Sequence, residues 1–173
     1  MYLIFPGGLG KIYAHFTKIL HWKPVGKRVM LTVAEAPDAS MFGKSFAGTI
    51  IRTVLDDTGY EMITQEECPV IHLDHPITIN NKRFDIVIAK PRHTGYDLYS
   101  LLFTGIGVYV IPVPDLDDLD ACLPTKAKDI IGIWWLSTGF SKWWSILNWL
   151  LFFLALVAVL LLYIRWLWLS YIG

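Results

Sequence analysis

The chain has 173 residues, two cysteines, and 15 Lys and Arg against 15 Asp and Glu. Zero net charge excludes the basic excess of a dedicated nucleic-acid binder, and two cysteines exclude a disulfide scaffold or a four-cysteine zinc module. At 54% hydrophobic residues, 17% charged residues and a mean hydropathy of +0.46, the chain is too apolar for an ordinary soluble or disordered protein.

The charge is zoned. Residues 1–30 carry five basic residues and no acid, residues 31–142 are net −6, and residues 143–173 carry Arg165 alone. A basic head, an acidic middle and an uncharged tail point to a membrane-associated protein.

Residues 1–27 form a basic N-terminal segment. Met1–Phe5 is apolar, but Pro6-Gly7-Gly8 breaks the run before any signal-peptide core can form. From Leu9 to Trp22, the residues Leu9, Ile12, Tyr13, Phe16, Ile19 and Leu20 recur at three/four spacing, with Lys11, His15 and Lys18 largely opposite. That pattern predicts an amphipathic helix, suited to an anionic membrane surface or to a face of its own domain.

Residues 28–114 read as a β-rich domain. Val29–Val33 is a short branched apolar run, and Ala34–Phe42 is loop-like. Phe46–Leu55 predicts a strand, Asp56-Asp57-Thr58-Gly59 a turn and Tyr60–Thr64 its returning partner. Ile77-Thr78-Ile79 and Arg83–Ala89 flank Asn80-Asn81-Lys82 as a second hairpin. Asp97–Phe103 predicts a short helix, and Gly107–Val113 the last strand. Five to six strands at this spacing predict a small antiparallel barrel or sandwich. Leu98–Val113 is short for a second membrane span and is interrupted by Gly105, Gly107 and Pro112, so a buried helix–strand corner is expected, with a re-entrant segment as the alternative.

Residues 115–142 read as an acidic linker followed by an interfacial stretch, Ile130–Phe140, that contains Trp134 and Trp135. Residues 143–173 read as a transmembrane anchor. The twenty residues from Ser145 to Ile164 carry no charge, and at 1.5 Å per residue they span about 30 Å, the thickness of the hydrocarbon core. Trp143, Trp144 and Trp149 before the middle of the run, with Tyr163, Arg165, Trp166, Trp168 and Tyr171 at its far end, match an interfacial belt. The expected fold class is therefore membrane-anchored α+β: a small antiparallel β-rich domain plus one C-terminal transmembrane helix. Lys126, Lys128 and Lys142 against Asp129 place the bulk of the chain on the cytoplasmic side by the positive-inside rule.

Candidate chemistry is sparse. Cys68, His72 and His75, with His93 brought in by folding, offer ligand types suited to zinc or copper, the basis of an alternative reading as a membrane-tethered metal-dependent enzyme. Asp38–Ser45 (D-A-S-M-F-G-K-S) ends like a phosphate loop but lacks the first glycine and leads into a strand. Asp115, Asp117, Asp118 and Asp120 lack the glycine and terminal glutamate of a calcium loop. Lys90-Pro91-Arg92-His93 gathers three potential cations in one loop. Asp56-Asp57 and Glu66-Glu67 are neighbours that point apart in a strand. The anchor between residues 145 and 164 has no His, Cys, Met or charged residue with which to ligate haem or relay protons. No catalytic residue, resident metal or cofactor is expected. The reading favours a non-catalytic accessory or scaffolding subunit, with other integral-membrane subunits and the lipid bilayer as partners. A membrane-surface adaptor acting through the basic N-terminal helix is a third reading.

Overall fold

A computed structural model describes residues 15–36, 39–56, 66–92, 98–126 and 130–172. Six antiparallel strands close into a barrel: β1 (Arg28–Glu35), β2 (Ser45–Asp56), β3 (Glu66–Ile79), β4 (Lys82–Pro91), β5 (Ile106–Val113) and β6 (Ile133–Ser137). Each strand pairs with the next, and β1 pairs with β6 through Met30↔Ser137, Leu31↔Leu136 and Thr32↔Trp135. A single helix, Gly139–Ile172, follows β6.

Side-chain alternation explains the closure. Val29, Leu31 and Val33 of β1 face inward, as do Ile71 and Leu73 of β3 and Val87 and Ala89 of β4. Six strands enclose less room than the eight whose interior side chains just fill. Here the interior holds Trp134, fully buried and stacked on Phe46 with ring centroids 5.4 Å apart. The β3–β4 hairpin turns on Asn80 and Asn81, both at positive φ (50° and 61°), as a two-residue turn matched to strand twist requires. Asparagine tolerates that region better than most side chains.

Two expectations are corrected. Ile130–Phe140 is not an interfacial stretch. Its centre is β6, and Trp134 and Leu136 are core residues, so the barrel extends past residue 114. The acidic stretch is more than a solvated linker: Asp115, Asp117, Asp118 and Asp120 are exposed, while Leu119 between them is buried. Leu119 packs with Cys68, Val70, Ile86, Ile88, Ile111 and Val113 on the outer wall of β3–β5. Those strands are consequently covered on both sides, which is why Leu98–Val113 is so apolar despite Gly105, Gly107 and Pro112. It forms a buried 3-10 turn, Leu98–Leu102, leading into β5, the corner its length and glycines predict.

β2 pairs with β3 from Glu66 onward, and the expected returning partner, Tyr60–Thr64, lies outside the described residues. Gly132, at φ 139°, turns the chain from the Leu119 cover into β6. A Cβ there would run into the Glu35 carbonyl oxygen.

Candidate functional site

The structural feature with the clearest functional content is the junction between barrel and helix. β6 ends at Ser137 and the helix begins at Gly139, leaving one residue between them. Thr138 is the N-cap. Its backbone N–H donates to Ser141 Oγ at 2.9 Å, and the Ser141 N–H donates to Thr138 Oγ1 at 3.0 Å. This is a reciprocal arrangement of the capping-box kind, with serine in place of the usual Glu or Gln. The Thr138 hydroxyl also donates to the carbonyls of Leu101 (3.3 Å) and Leu102 (3.4 Å), in the 3-10 turn whose Leu98 and Leu101 join the barrel core. One buried side chain thus ties the helix start to the body of the barrel.

Aromatic packing braces the same joint. Phe103 meets Phe140 edge-on at 5.7 Å and Trp144 at 5.3 Å, while Phe140 and Trp144 stack at 6.1 Å one helical turn apart. Replacing Thr138 with alanine removes the cap and both cross-links to Leu101 and Leu102, a cost of about 1–2 kcal/mol. Amide exchange at residues 139–142 is expected to accelerate by about tenfold or more, with the strand amides unaffected.

The helix is long and apolar enough to cross a membrane, and its apolar window has no residue buried inside the protein. At 34 residues it is about 51 Å long, well beyond a hydrocarbon core of about 30 Å. Of the expected belt residues, Trp143 is 72% exposed, and Trp149, Tyr163, Arg165, Trp166, Trp168 and Tyr171 are also exposed. Trp144 differs. It is half-buried against Phe103 and Phe140, so it serves the joint.

The metal reading gains no geometry. Cys68 is buried in the outer apolar cluster, His72 and His75 are exposed, and His93 lies outside the described residues. Among the described residues no group of three His, Cys, Asp or Glu is placed to hold a metal ion. Asp74, which sequence places on the His72 face, ion-pairs with Arg28.

The phosphate-loop resemblance also meets a strand. Ala39–Met41 is a 3-10 turn, and β2 starts at Ser45. Asp38 lies outside the described residues. Lys90 is not a loop cation: it closes β4 and sits 2.7 Å from Asp56 Oδ2, whose carboxylate is buried. Sequence reasoning treated Asp56 as a turn residue, and no local signal marks its partner 34 positions away.

Cys122 packs at the edge of the outer cluster. Burial, with the Asp118 carboxylate as a second cause, pushes its thiol above the usual value. Less thiolate at a given pH means slower alkylation. Iodoacetamide at about pH 8 is expected to modify Cys122 more slowly than a cysteine in an unfolded peptide. Asp118→Asn is expected to speed the reaction, read by peptide mass spectrometry.

Searches against protein-family models, curated proteins and solved structures find no match for this chain. The functional reading therefore rests on the geometry.

Proposed function

We infer that this protein is a non-catalytic accessory or scaffolding subunit of a larger integral-membrane assembly, held by its C-terminal helix with the barrel on the cytoplasmic face. The observation that carries the reading is the one-residue, doubly cross-linked joint at Thr138. A tether that only retains a domain near a membrane works with a flexible linker. A capped and braced joint fixes where the barrel stands and which way it faces, as positioning among neighbouring subunits requires.

Two further features support the reading. The barrel interior is filled by side chains such as Trp134, Leu31, Ile71 and Leu136, which suits a packing body. The helix presents Phe152, Phe153, Leu160 and Trp166 outward, large apolar surfaces for lipid or for neighbouring helices. Lys142 at the barrel end of the helix supports the cytoplasmic orientation.

Native mass spectrometry after extraction from the source membrane in mild detergent tests the reading. A fixed-stoichiometry assembly with other membrane subunits is expected. A monomer or homo-oligomer carrying stoichiometric metal overturns it and returns attention to Cys68, His72, His75 and His93.

A further inference from the structure

The barrel has two unlike ends. β1 begins, and β6 finishes, at the end from which the helix departs, because the two strands run antiparallel with Met30 opposite Ser137. The chain that leads into β1, residues 15–27, therefore lies at that end too. Its contacts agree: the Lys18 ammonium sits 5.1 Å from the Tyr99 ring centre, in the 3-10 turn that Thr138 grips.

Among the described residues, this leading segment is anchored through one face. A helical turn over 15–19 closes with His21 at φ 52°, Trp22 N–H donating to the Thr17 carbonyl (3.1 Å) and His21 N–H donating to that of Lys18 (3.0 Å). That is a Schellman closure, which fixes the path of the chain. Thr17 and Pro24 are buried, and Trp22 packs against the barrel core. Gly26 and Lys27 continue the pairing to Ile50 (2.7 and 3.0 Å).

The other face is left outward. Phe16, Ile19 and Leu20 are 54%, 58% and 61% exposed, and Val25 is exposed beside them. Lys18, Lys23 and Lys27 flank these residues, and no acid falls between residues 15 and 28. Arg92 and Lys142 add positive charge at the same end. Among the described residues, the acids at that end sit on β2 and β3: Asp56 is paired with Lys90, and Glu66 and Glu67 open β3, which stands opposite β6 in the strand order.

We propose that the outward face of residues 15–27 docks on the anionic headgroup layer of the leaflet that the helix enters. The proposal rests on membrane insertion of the helix and adds a second, surface contact to it. Two features select lipid over a protein partner. The segment and the helix start meet the same 3-10 turn, Lys18 at Tyr99 and Thr138 at Leu101 and Leu102, so insertion of the helix brings the segment to the bilayer surface. Its make-up, exposed apolar side chains ringed by lysines, is that of an interfacial segment, in which apolar groups sink to the acyl boundary and cations meet headgroup phosphates. Each lysine near an anionic surface strengthens binding on the order of fivefold.

The test is hydrogen exchange on the full chain in lipid nanodiscs, either pure phosphatidylcholine or phosphatidylcholine mixed with phosphatidylglycerol. Amides of residues 15–23 are expected to exchange more slowly in the anionic discs. High salt should erase the difference, because the screening length falls to about 3 Å at 1 M. Lys23→Gln with Lys27→Gln is expected to cut the slowing by about an order of magnitude, with strand protection unchanged as the folding control. Equal exchange of residues 15–23 in both discs overturns the proposal and leaves the face to a protein partner. Unprotected amides across residues 145–164 in both discs would instead overturn insertion of the helix, and this proposal with it.

Discussion

Trp134→Ala is expected to cost the barrel about 3–5 kcal/mol, the usual range for removing a buried large aromatic. Trp134 is fully buried in β6, stacked on Phe46 and flanked in the core by Val33 and Val108. The side chain closes the seam between β1 and β5, so its loss leaves a void where the last strand must hold. Single domains of this size commonly have only 5–15 kcal/mol in total, so the variant is expected to melt far below the parent. Near-UV circular dichroism on heating in mild detergent reads the change. Trp134→Phe keeps most of the ring and removes an indole N–H that has no hydrogen-bond partner among the described residues, so it should cost much less. A Trp134→Ala change below about 1 kcal/mol would return the residue to the membrane interface and contradict its place in the core.

The second large effect is expected at Lys90. Asp56 keeps its carboxylate fully buried, with the Lys90 ammonium at 2.7 Å and, among the described residues, no hydrogen bond beside that ion pair. Lys90→Met strands a carboxylate away from water. Loss of one partner of a buried pair costs about 3–5 kcal/mol, and Lys90, a quarter exposed, belongs near the lower bound. Replacing both residues, with Asp56→Asn and Lys90→Met together, is expected to restore much of the loss. Urea unfolding of the two single variants and the double variant measures the coupling. Additive single effects, with no recovery in the double variant, would show that the two side chains do not act as a pair.

Some of this architecture was legible in the sequence, for physical reasons. A helix that crosses lipid must satisfy its own backbone and keep charge out over some twenty residues, so the run Ser145–Ile164 announces itself as a candidate span, and the structure makes it one long exposed helix. The hairpin at Asn80-Asn81 is equally local, because the turn needs two residues that accept positive φ. The antiparallel β-rich class, with barrel and sandwich both open, followed from strand spacing, and a buried corner at Leu98 from the short, glycine-interrupted apolar run; closure and the 3-10 form came with the structure.

What was not legible depends on contacts distant in sequence. β6 is five residues long and carries Trp134-Trp135 close to the anchor, where tryptophans ordinarily mark the headgroup boundary. Only pairing with β1, a hundred residues earlier, reveals a core strand. β3 contains Pro69 and Pro76 and shifts register between His72 and Ile77, so its alternation is broken just where the histidines drew attention as ligands. Leu119 stands alone among aspartates, and nothing nearby marks it as the cover of the β3–β5 wall. At the joint, Thr138 and Ser141 show the spacing of a helix cap, but the carbonyls the Thr138 hydroxyl reaches belong to residues 101 and 102.

The single residue between strand and helix has a mechanical consequence. A helix of about 51 Å exceeds any ordinary hydrocarbon core and leans further from the bilayer normal as the bilayer thins. With Thr138 clamped to Leu101 and Leu102, and Phe103 wedged against Phe140 and Trp144, there is no swivel to absorb that lean. With the helix inserted as proposed, the barrel would incline through the same angle as the helix, and bilayer thickness would be converted into the attitude of a rigid body above the lipid.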